Sequence, residues 1–519
     1  MMENRYVLSI DCGTQSVRGL IFDDNGNLVA KHKVEFEPYE SPVPGYAEHR
    51  AEDYWRDACS ALQALKQESP EAWAHIAAVA VTTQRDTVVA LDANGVPVRP
   101  AIVWLDQRMA RCEKPMPPAD RLQFKLVGMT TAVEIARRKG KDNWMAENEP
   151  ELWARTSKWL LLSGYFSFRL TGRYVDSVAS QIGHIPLDYH TRNWPRSDSS
   201  WRWRMSCARR DQMPELVEAG EQMGTVSAVA ALETGIPEGI PVIAAGSDKG
   251  CETLGVGCID ETSVSLSFGT TATAQTTSRR YFEPIPFMPP YPASIRNRYN
   301  PEVEIFRGYW MVSWFKKEFA DREVMEAERR GVLPEVVLDE HLDDVPPGSQ
   351  GLMLQPYWSP GLTMPEAKGA MIGFGDVHTR AHMYRAIIEG IGYDLLQGVE
   401  RIEHKSGKKA TRVMVSGGGS QSDAVCQITA DMFNRPVVRS ETYETSGLGA
   451  AINGFIGIGV YATHEEAVQK MVHWDSTFLP RPEAARVYQE LYERVYKHIY
   501  PALRPLYREI QRITGYPDI

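Results

Sequence analysis

Two hydrophobic periods alternate along the chain and divide it into strands and helices. Short apolar or alternating runs are typical of buried strands. The runs that fit this pattern are residues 6–10, 17–22, 76–82, 88–91, 242–245, 264–268 and 412–416. Apolar residues spaced three to four positions apart predict helices. These segments are residues 53–67, 149–170, 379–405, 423–433 and 482–514, and a basic, tryptophan-rich surface helix is predicted at 194–216.

Several boundaries are marked by residues with known conformational preferences. Asp24-Asn25-Gly26 and residues 92–95 are hairpin turn signals. Thr379 suits the N-cap of the longest predicted helix, and Gly407 follows its end. Residues 284–301 contain six prolines, which predicts a structured loop rather than a helix or a central strand.

The length and the mixture of strands and helices predict an α/β protein with two domains. A chain of 519 residues exceeds the size of one ordinary hydrophobic core. We place the boundary at residue 245, which gives domains 1–245 and 246–519 and puts Asp248 in the cleft between them. Domain interfaces are preferred locations for ligand sites.

The charge and the cysteine content exclude some classes of protein. A net charge of −10 and a pI near 5.7 argue against a nucleic-acid-binding or membrane-binding surface. Neither an apolar run of about 20 residues nor a signal peptide is found. Seven dispersed cysteines without a C-x-x-C pair fit reduced thiols. These features predict a soluble, cytoplasmic protein.

Polar residues at strand ends supply candidate chemistry for phosphate groups. Asp248 follows a strand, and Gly269-Thr270-Thr271 follows the next one; residues 11–16 repeat the arrangement of strand, Gly-Thr loop and strand. Backbone N–H groups and hydroxyls in such loops can hold phosphate oxygens, and the acid can take a proton. Asp11 can hold Mg²⁺ through its waters. Ordinary turns explain each loop equally well when it is considered alone.

Two further strand ends carry groups that suit a sugar and a nucleotide. Arg85 with Asp86, and Asp106 near Trp104, can hydrogen-bond vicinal hydroxyls, and the indole can cover an apolar sugar face. The turn at 417–422 (Gly-Gly-Gly-Ser-Gln-Ser) allows a flat adenine or ribose to approach the backbone. The alternatives are surface ion pairs and a plain strand-to-helix turn. The P-loop, the dinucleotide fingerprint and H-E-x-x-H are all missing, which disfavours P-loop enzymes and dehydrogenases.

Taken together, the motifs resemble the FGGY family of carbohydrate kinases in the actin-like ATPase superfamily. The matching segments are residues 11–16 and 267–271 (two phosphate loops), 417–422 (adenosine motif), 308–314, 369–375, 382–389 and 444–451. The resemblance covers residues 6 to about 500. It implies two actin-like (ribonuclease H-like) domains with ATP, Mg²⁺ and a sugar in the cleft, and it is compatible with a homodimer.

The resemblance also implies a role for each candidate residue. Asp248 is the expected general base and Asp11 the expected Mg²⁺ ligand. The expected sugar-binding residues are Arg85, Asp86, Trp104, Asp106 and Asp248. The expected nucleotide-binding residues are Gly13, Thr14, Gln15, Gly269, Thr270, Thr271, Gly308, Gly418, Gly419 and Ser422.

The sequence leaves the acceptor open. Gln84-Arg85-Asp86 is close to the Gln-Arg-Glu of glycerol kinases, whereas Trp104-Leu105-Asp106 resembles the Trp-Asn-Asp of xylulose kinases. Asp142 departs from the family's N-terminal pattern, in which an apolar residue is usual. The expected activity is phosphorylation of a ketose, a sugar acid or a polyol. The alternative is a nucleotide-switched, actin-like binding or scaffold protein without kinase activity.

Overall fold

The computed structural model describes residues 5–113, 115–359 and 364–516. The strands are β1 (Tyr6–Cys12), β2 (Ser16–Phe22), β3 (Leu28–Glu35), β4 (Glu48–His49), β5 (Ile76–Thr83), β6 (Val88–Leu91), β7 (Ala101–Ile102), β8 (Lys158–Leu161), β9 (Val175–Ser177), β10 (Glu215–Val217), β11 (Gln222–Thr225), β12 (Pro241–Ser247), β13 (Ser263–Phe268), β14 (Ala272–Gln275), β15 (Tyr291–Pro292), β16 (Tyr299–Asn300), β17 (Glu302–Ile305), β18 (Met353–Gln355), β19 (Ala370–Ile372), β20 (Arg412–Ser416), β21 (Val437–Ser440) and β22 (Trp474–Phe478).

Helices connect and cover these strands. They are α1 (Ala51–Glu68), α2 (Pro70–Ala74), α3 (Pro118–Leu126), α4 (Thr130–Lys139), α5 (Lys141–Asn148), α6 (Pro150–Arg155), α7 (Leu162–Thr171), α8 (Trp201–Arg204), α9 (Ala228–Thr234), α10 (Asp248–Gly255), α11 (Trp310–Phe319), α12 (Asp321–Arg330), α13 (Pro334–Asp339), α14 (Arg380–Ser406), α15 (Asp423–Phe433), α16 (Thr445–Gly457), α17 (His464–Met471), α18 (Pro482–Leu491) and α19 (Lys497–Thr514). A π-helical turn, Tyr492–Tyr496, joins α18 to α19.

Two six-stranded sheets repeat one topology. The first has the order β11-β12-β5-β1-β2-β3 and the second the order β17-β14-β13-β20-β21-β22. In the first sheet β1 pairs antiparallel with β2 and parallel with β5. In the second sheet β13 pairs antiparallel with β14 and parallel with β20. The two Gly-Thr loops therefore occupy equivalent positions, after β1 in one sheet and after β13 in the other. This repeat explains the similarity that the sequence showed between the two loops.

The core between the sheets positions α10, whose first residue is Asp248. Helix α16 packs on β1, β5 and β12 of the first sheet and against α10. The two helices approach so closely that a Cβ on Gly449 would lie 1.9 Å from the backbone oxygen of Cys251. Only glycine permits this backbone contact, so α10 is held firmly at the junction of the two halves.

Two predicted helices are wrong. Residues 149–170 form α6, then β8, then α7, because β8 pairs with β6 and removes residues 158–161 from any helix. In residues 194–216 only Trp201–Arg204 is α-helical. The indoles of Trp194 and Trp203 instead donate hydrogen bonds to the backbone oxygens of Pro214 and Pro195. The other predicted helices and strands are present with small shifts in their ends.

The domain boundary at 245/246 stays a prediction. Strand β12 runs through this position, and α10 begins immediately after it. Within the three described ranges, no helix is both long and apolar enough to span a lipid bilayer.

Candidate active site

Asp11 lies at the end of β1, where the alternation of the strand directs it to the face that packs against α16. Leu8, Ile10 and Cys12 point into the core of the first sheet, so Ser9 and Asp11 point to the opposite face. The Asp11 carboxylate is buried and accepts a hydrogen bond from Arg18 Nη1 at 3.0 Å. Burial raises the pKa of Asp11 to about 6, and the guanidinium of Arg18 only partly opposes this.

The first Gly-Thr loop, Gly13-Thr14-Gln15, is closed by one backbone hydrogen bond and contacts a predicted sugar-binding residue. Gly13 N donates to Ser16 O at 3.0 Å. Trp104 Nε1 donates to Thr14 Oγ1 at 2.8 Å, and Trp104 N donates to Thr87 Oγ1 at 3.2 Å. The structure therefore brings Trp104 and the loop together, although 90 residues separate them.

Asp248 is placed at the start of α10 by the N-cap Ser247, whose side chain accepts from Gly250 N at 3.2 Å. The Asp248 side chain is 29% exposed, and its Oδ1 accepts from Lys249 N at 2.8 Å. No residue in the described part of the chain donates a hydrogen bond to Oδ2. Burial raises the pKa of Asp248, and Arg85 and Lys249 offset this only in part. The carboxylate is thus oriented, with one oxygen free to accept a proton.

Arg85 links the two halves of the site. Its Nε lies 3.9 Å from Asp248 Oδ1 and donates to Ser247 Oγ at 3.2 Å. Its Nη1 lies 2.9 Å from each carboxylate oxygen of Glu302 on β17, and its guanidinium stacks over Tyr291 at 5.2 Å. Nη2 is buried and has no hydrogen-bond partner among the described residues.

Asp86 has a strained backbone and two basic neighbours. Its φ is +50°, in the left-handed region that is uncommon for residues other than glycine but that aspartate tolerates better than most. The carboxylate lies 3.0 Å from both Lys141 Nζ and His184 Nδ1. Burial alone would raise the pKa of Asp86, but these two groups outweigh it and hold the pKa well below its usual range. Asp86 is therefore ionised and oriented, with part of its surface still exposed.

Asp106 differs from the other predicted sugar-binding residues because its side chain is fully enclosed. Its carboxylate accepts from Ala47 N at 2.6 Å and from Arg108 N, Nε and Nη2 at 2.7–2.9 Å. A direct contact between Asp106 and a sugar stays a prediction that this geometry does not favour. The carboxylate instead fixes the loop that carries Trp104.

The second Gly-Thr loop, Gly269-Thr270-Thr271, is anchored by the start of α11. Tyr309 N donates to Gly269 O at 3.1 Å, and Trp310 N donates to Thr270 O at 3.3 Å. Gly308 is needed for this contact, because a Cβ there would lie 2.4 Å from Ala272 N. The backbone oxygens of Gly269 and Thr270 thus accept hydrogen bonds from the protein, and Thr270 itself is exposed to solvent.

The glycine turn after β20 is tightly packed on one side and open on the other. A Cβ on Gly419 would lie 2.4 Å from the ring of Tyr309, whereas a Cβ on Gly418 would meet no atom within 4 Å. Ser422 caps α15 by accepting from Val425 N at 3.2 Å. The predicted ligand role therefore suits the exposed backbone at Gly418 better than the engaged hydroxyl of Ser422.

Several polar residues of this site were missed from the sequence. Lys141, His184, Lys249, Tyr291, Glu302 and Glu304 all contact or electrostatically influence the predicted residues. Burial and the neighbouring Glu302 raise the pKa of Glu304 to about 7. Of these residues, Lys249 could have been found from the sequence, because it directly follows Asp248. The others come from loops and strands whose placement only the fold decides.

The chain was compared with known proteins. Sequence models of the FGGY family of carbohydrate kinases match residues 6–255 with the N-terminal domain and residues 264–458 with the C-terminal domain. A sugar kinase of Escherichia coli K12, YgcE, is 28% identical over 498 residues, which are 94% of this chain and 92% of that protein. The xylulose kinase of Lactococcus lactis is 30% identical over 502 residues, 94% of this chain and 95% of that protein.

The fold has a solved counterpart. The crystal structure of a gluconate kinase from Lactobacillus acidophilus superposes with a TM-score of 0.82 at 22% identity, covering 98% of this chain and 100% of that one. This likeness confirms the predicted fold class, an α/β protein of two actin-like domains.

Proposed function

From the premise that the chain belongs to the FGGY family of carbohydrate kinases, we propose that it transfers the γ-phosphoryl group of ATP to a hydroxyl of a ketose, a sugar acid or a polyol, with Asp248 as the general base. The observation that carries the proposal is the Asp248 carboxylate itself. One of its oxygens is held by Lys249 N, and Arg85 lies beside it. The other oxygen is available to a substrate hydroxyl.

The proposed reaction needs a base only at the acceptor. As the hydroxyl oxygen attacks phosphorus, its proton passes to Asp248 Oδ2, and ADP departs from the opposite side. Arg85 lowers the pKa of the Asp248 carboxyl and so favours its ionised form, and Glu302 fixes the position of Arg85. Arg85 follows β5 of the first sheet and Glu302 lies on β17 of the second, so their ion pair ties the base to both sheets.

The two Gly-Thr loops are the proposed phosphate-binding elements. They stand at equivalent strand ends in the two sheets, so their N–H groups can approach ATP from both sides. The proposed contacts are those of Gly13, Thr14, Gln15, Gly269, Thr270 and Thr271, with Gly308, Gly418 and Gly419 on the nucleotide side. Ser422 is assigned to positioning this turn.

Asp11 fits a divalent cation. Its carboxylate is buried, and burial raises its pKa to about 6 although the guanidinium of Arg18 opposes this. Mg²⁺ is commonly held by one or two carboxylates, waters and substrate phosphates, so a single acid suffices. When bound, the ion would neutralise charge on the phosphates. The residues that would hold it are Asp11 and, through water, its neighbours in the first loop.

The proposed acceptor site is bounded by Arg85, Asp86 and Trp104. Asp86 can accept hydroxyl hydrogen bonds because it stays ionised, and the unpaired Nη2 of Arg85 can donate one. Trp104 covers the sugar while its N–H holds Thr14. Asp106 is assigned to positioning Trp104.

The cellular setting is also a proposal. All seven cysteines are unpaired, which fits the reducing cytoplasm in which ATP is available. A homodimer stays a prediction.

The pH dependence should report the raised pKa of Asp248. The base must be ionised, so kcat/KM should fall as pH drops through its pKa, and this acid limb should lie above the value near 4 of an ordinary carboxyl. Because Arg85 lowers the pKa of Asp248, Arg85→Gln should move the limb to higher pH. A limb that stays in place in this variant would show that another group is being titrated.

A methyl group at Gly418 should weaken ATP binding without unfolding the protein. The position has open space for a Cβ, so Gly418→Ala should keep the melting temperature. A bound nucleotide would meet the methyl at a cost of about 1–3 kcal/mol, so KM for ATP should rise roughly tenfold. Gly375→Ala is the matched control, because its Cβ would meet only His378 at 3.7 Å. An unchanged KM in Gly418→Ala would place the nucleotide elsewhere.

The direct test of the proposed function is a coupled ADP assay over pentuloses, polyols and sugar acids. Acceptor-dependent ADP release, with a phosphorylated product identified by mass spectrometry, is the expected result. If ATP binds but no acceptor stimulates ADP release, the nucleotide-switched binding or scaffold protein becomes the better assignment.

A further inference from the structure

Lys249 is held at the edge of the second Gly-Thr loop by a small buried network. Its Nζ donates to Glu252 Oε2 at 2.8 Å and to Ser267 Oγ at 2.6 Å. Ser267 Oγ in turn donates to Glu252 Oε1 at 2.9 Å. An ammonium has three N–H donors, and the residues that the structure describes use two of them.

The alternation of β13 explains why the network is there. Val264, Leu266 and Phe268 pack into the core of the second sheet, so the intervening serines face the opposite side, towards α10. Ser267 is the last of these positions before Gly269, and its hydroxyl meets the first turn of α10. The Lys249 ammonium is consequently held where the strand gives way to the loop.

The remaining N–H lies close to the proposed phosphate position. Nζ is 3.7 Å from the point that a Cβ on Gly269 would occupy, and the Lys249 side chain keeps 21% of its surface exposed. Burial alone would lower the pKa of Lys249, but Glu252 and Asp248 outweigh it and raise the pKa. The side chain therefore remains a cation next to both the loop and the base.

A purely structural ion pair is the competing explanation. Lys249 and Glu252 are three residues apart on one helix, a spacing at which such pairs are common. An ion pair on its own does not need a second anchor such as Ser267, nor a position beside Gly269. Fixing an ammonium with two protein partners while one donor stays free is the arrangement expected of a preorganised charge-stabilising group.

We propose that Lys249 is a further catalytic residue of the kinase, and that its free N–H contacts an oxygen of the phosphoryl group during transfer. The inference rests on the proposed function. The new bond joins the acceptor oxygen to phosphorus, the bond between phosphorus and the leaving ADP oxygen breaks, and the hydroxyl proton goes to Asp248. Lys249 stays protonated throughout and stabilises the charge on the phosphoryl oxygens.

The test compares Lys249→Met and Lys249→Arg with the wild-type chain and the best acceptor from the screen. Removal of one preorganised donor typically costs about 10²–10³ in kcat, and this loss is expected for Lys249→Met with KM for the acceptor nearly unchanged. Lys249→Arg should recover part of kcat. Lys408→Met is the control, because this lysine pairs with Glu261 at 3.4 Å far from the loops; its kcat should be unaffected.

Further readouts separate catalysis from structure. Ser267→Ala keeps the ammonium but removes one anchor, so kcat should fall about tenfold at constant melting temperature; this variant also decides the matter if Lys249→Met does not fold. A wild-type kcat in soluble Lys249→Met, or a change only in KM for the acceptor, would overturn the catalytic role of Lys249 and leave the proposed function intact. A wild-type chain that phosphorylates no acceptor would overturn the proposed function itself.

Discussion

Replacing Asp248 with asparagine is expected to abolish nearly all acceptor-dependent ADP release while ATP binding persists. General-base catalysis contributes about 10²–10⁴ in rate, so kcat should fall by that factor. The amide keeps the shape of the side chain and its contact with Lys249 N, but it cannot accept the hydroxyl proton. Coupled ADP release measures the loss, and calorimetry with ATP measures the retained binding.

A second half-buried carboxyl provides the control for this result. Burial raises the pKa of Asp394 to about 6, and its carboxylate accepts from Tyr357 OH at 3.2 Å, away from the loops. Asp394→Asn should therefore leave kcat within a few-fold of the wild type. Undiminished turnover in Asp248→Asn would rule out Asp248 as the base, whereas equal losses in both variants would indicate a general effect of the substitution on folding.

Replacing Arg385 with methionine is expected to destabilise the protein by about 3–5 kcal/mol, because it leaves a buried charge without its partner. Arg385 Nε donates to Glu389 Oε1 at 2.8 Å, and both side chains are 2% exposed. Arg385 Nη2 also donates to Tyr488 OH at 2.7 Å. The change should appear as a lower midpoint in chemical or thermal unfolding, with kcat of the folded fraction nearly unchanged.

An exposed ion pair offers the comparison for that measurement. Arg512 Nη2 lies 2.8 Å from Glu509 Oε2 on α19, and exposed pairs of this kind contribute about 1 kcal/mol or less. Arg512→Met should hence shift the unfolding midpoint only slightly. An equally small shift in Arg385→Met would mean that the surrounding side chains or water compensate the Glu389 carboxylate.

Arg385 and Glu389 show that a motif shared with a family can lie outside the proposed active site. The segment 382–389 belongs to the most specific part of the resemblance, which runs from residues 369–375 through 382–389, and the structure places Arg385 and Glu389 in the core of the second half. Glu389 accepts from Gly348 N, Ser349 Oγ and Tyr488 OH in addition to Arg385. The segment joins α14 to α18 and to the loop before β18, a connection that residue types alone do not reveal.

Local preference was sufficient where neighbouring residues decide the conformation. The strand–loop–strand unit at 6–22 and helix α14, with Thr379 before it and Gly407 after it, were predicted because alternation and capping depend on residues close in sequence. Local preference failed at 158–161, where an apolar run that fits a helical period forms β8. Pairing with β6, about 70 residues earlier, outweighed the local preference there.

The sequence thus predicted the two Gly-Thr loops and Asp248 as elements of one proposed site, since each follows a recognisable strand. Only the tertiary structure decided which side chains meet there. It enclosed Asp106 between Ala47 and Arg108, joined Arg85 to Glu302 across 217 residues, and held Lys249 on α10 against Ser267 of the second sheet. Such contacts depend on how two separately formed sheets pack around α10 and α16, and no local pattern encodes that packing.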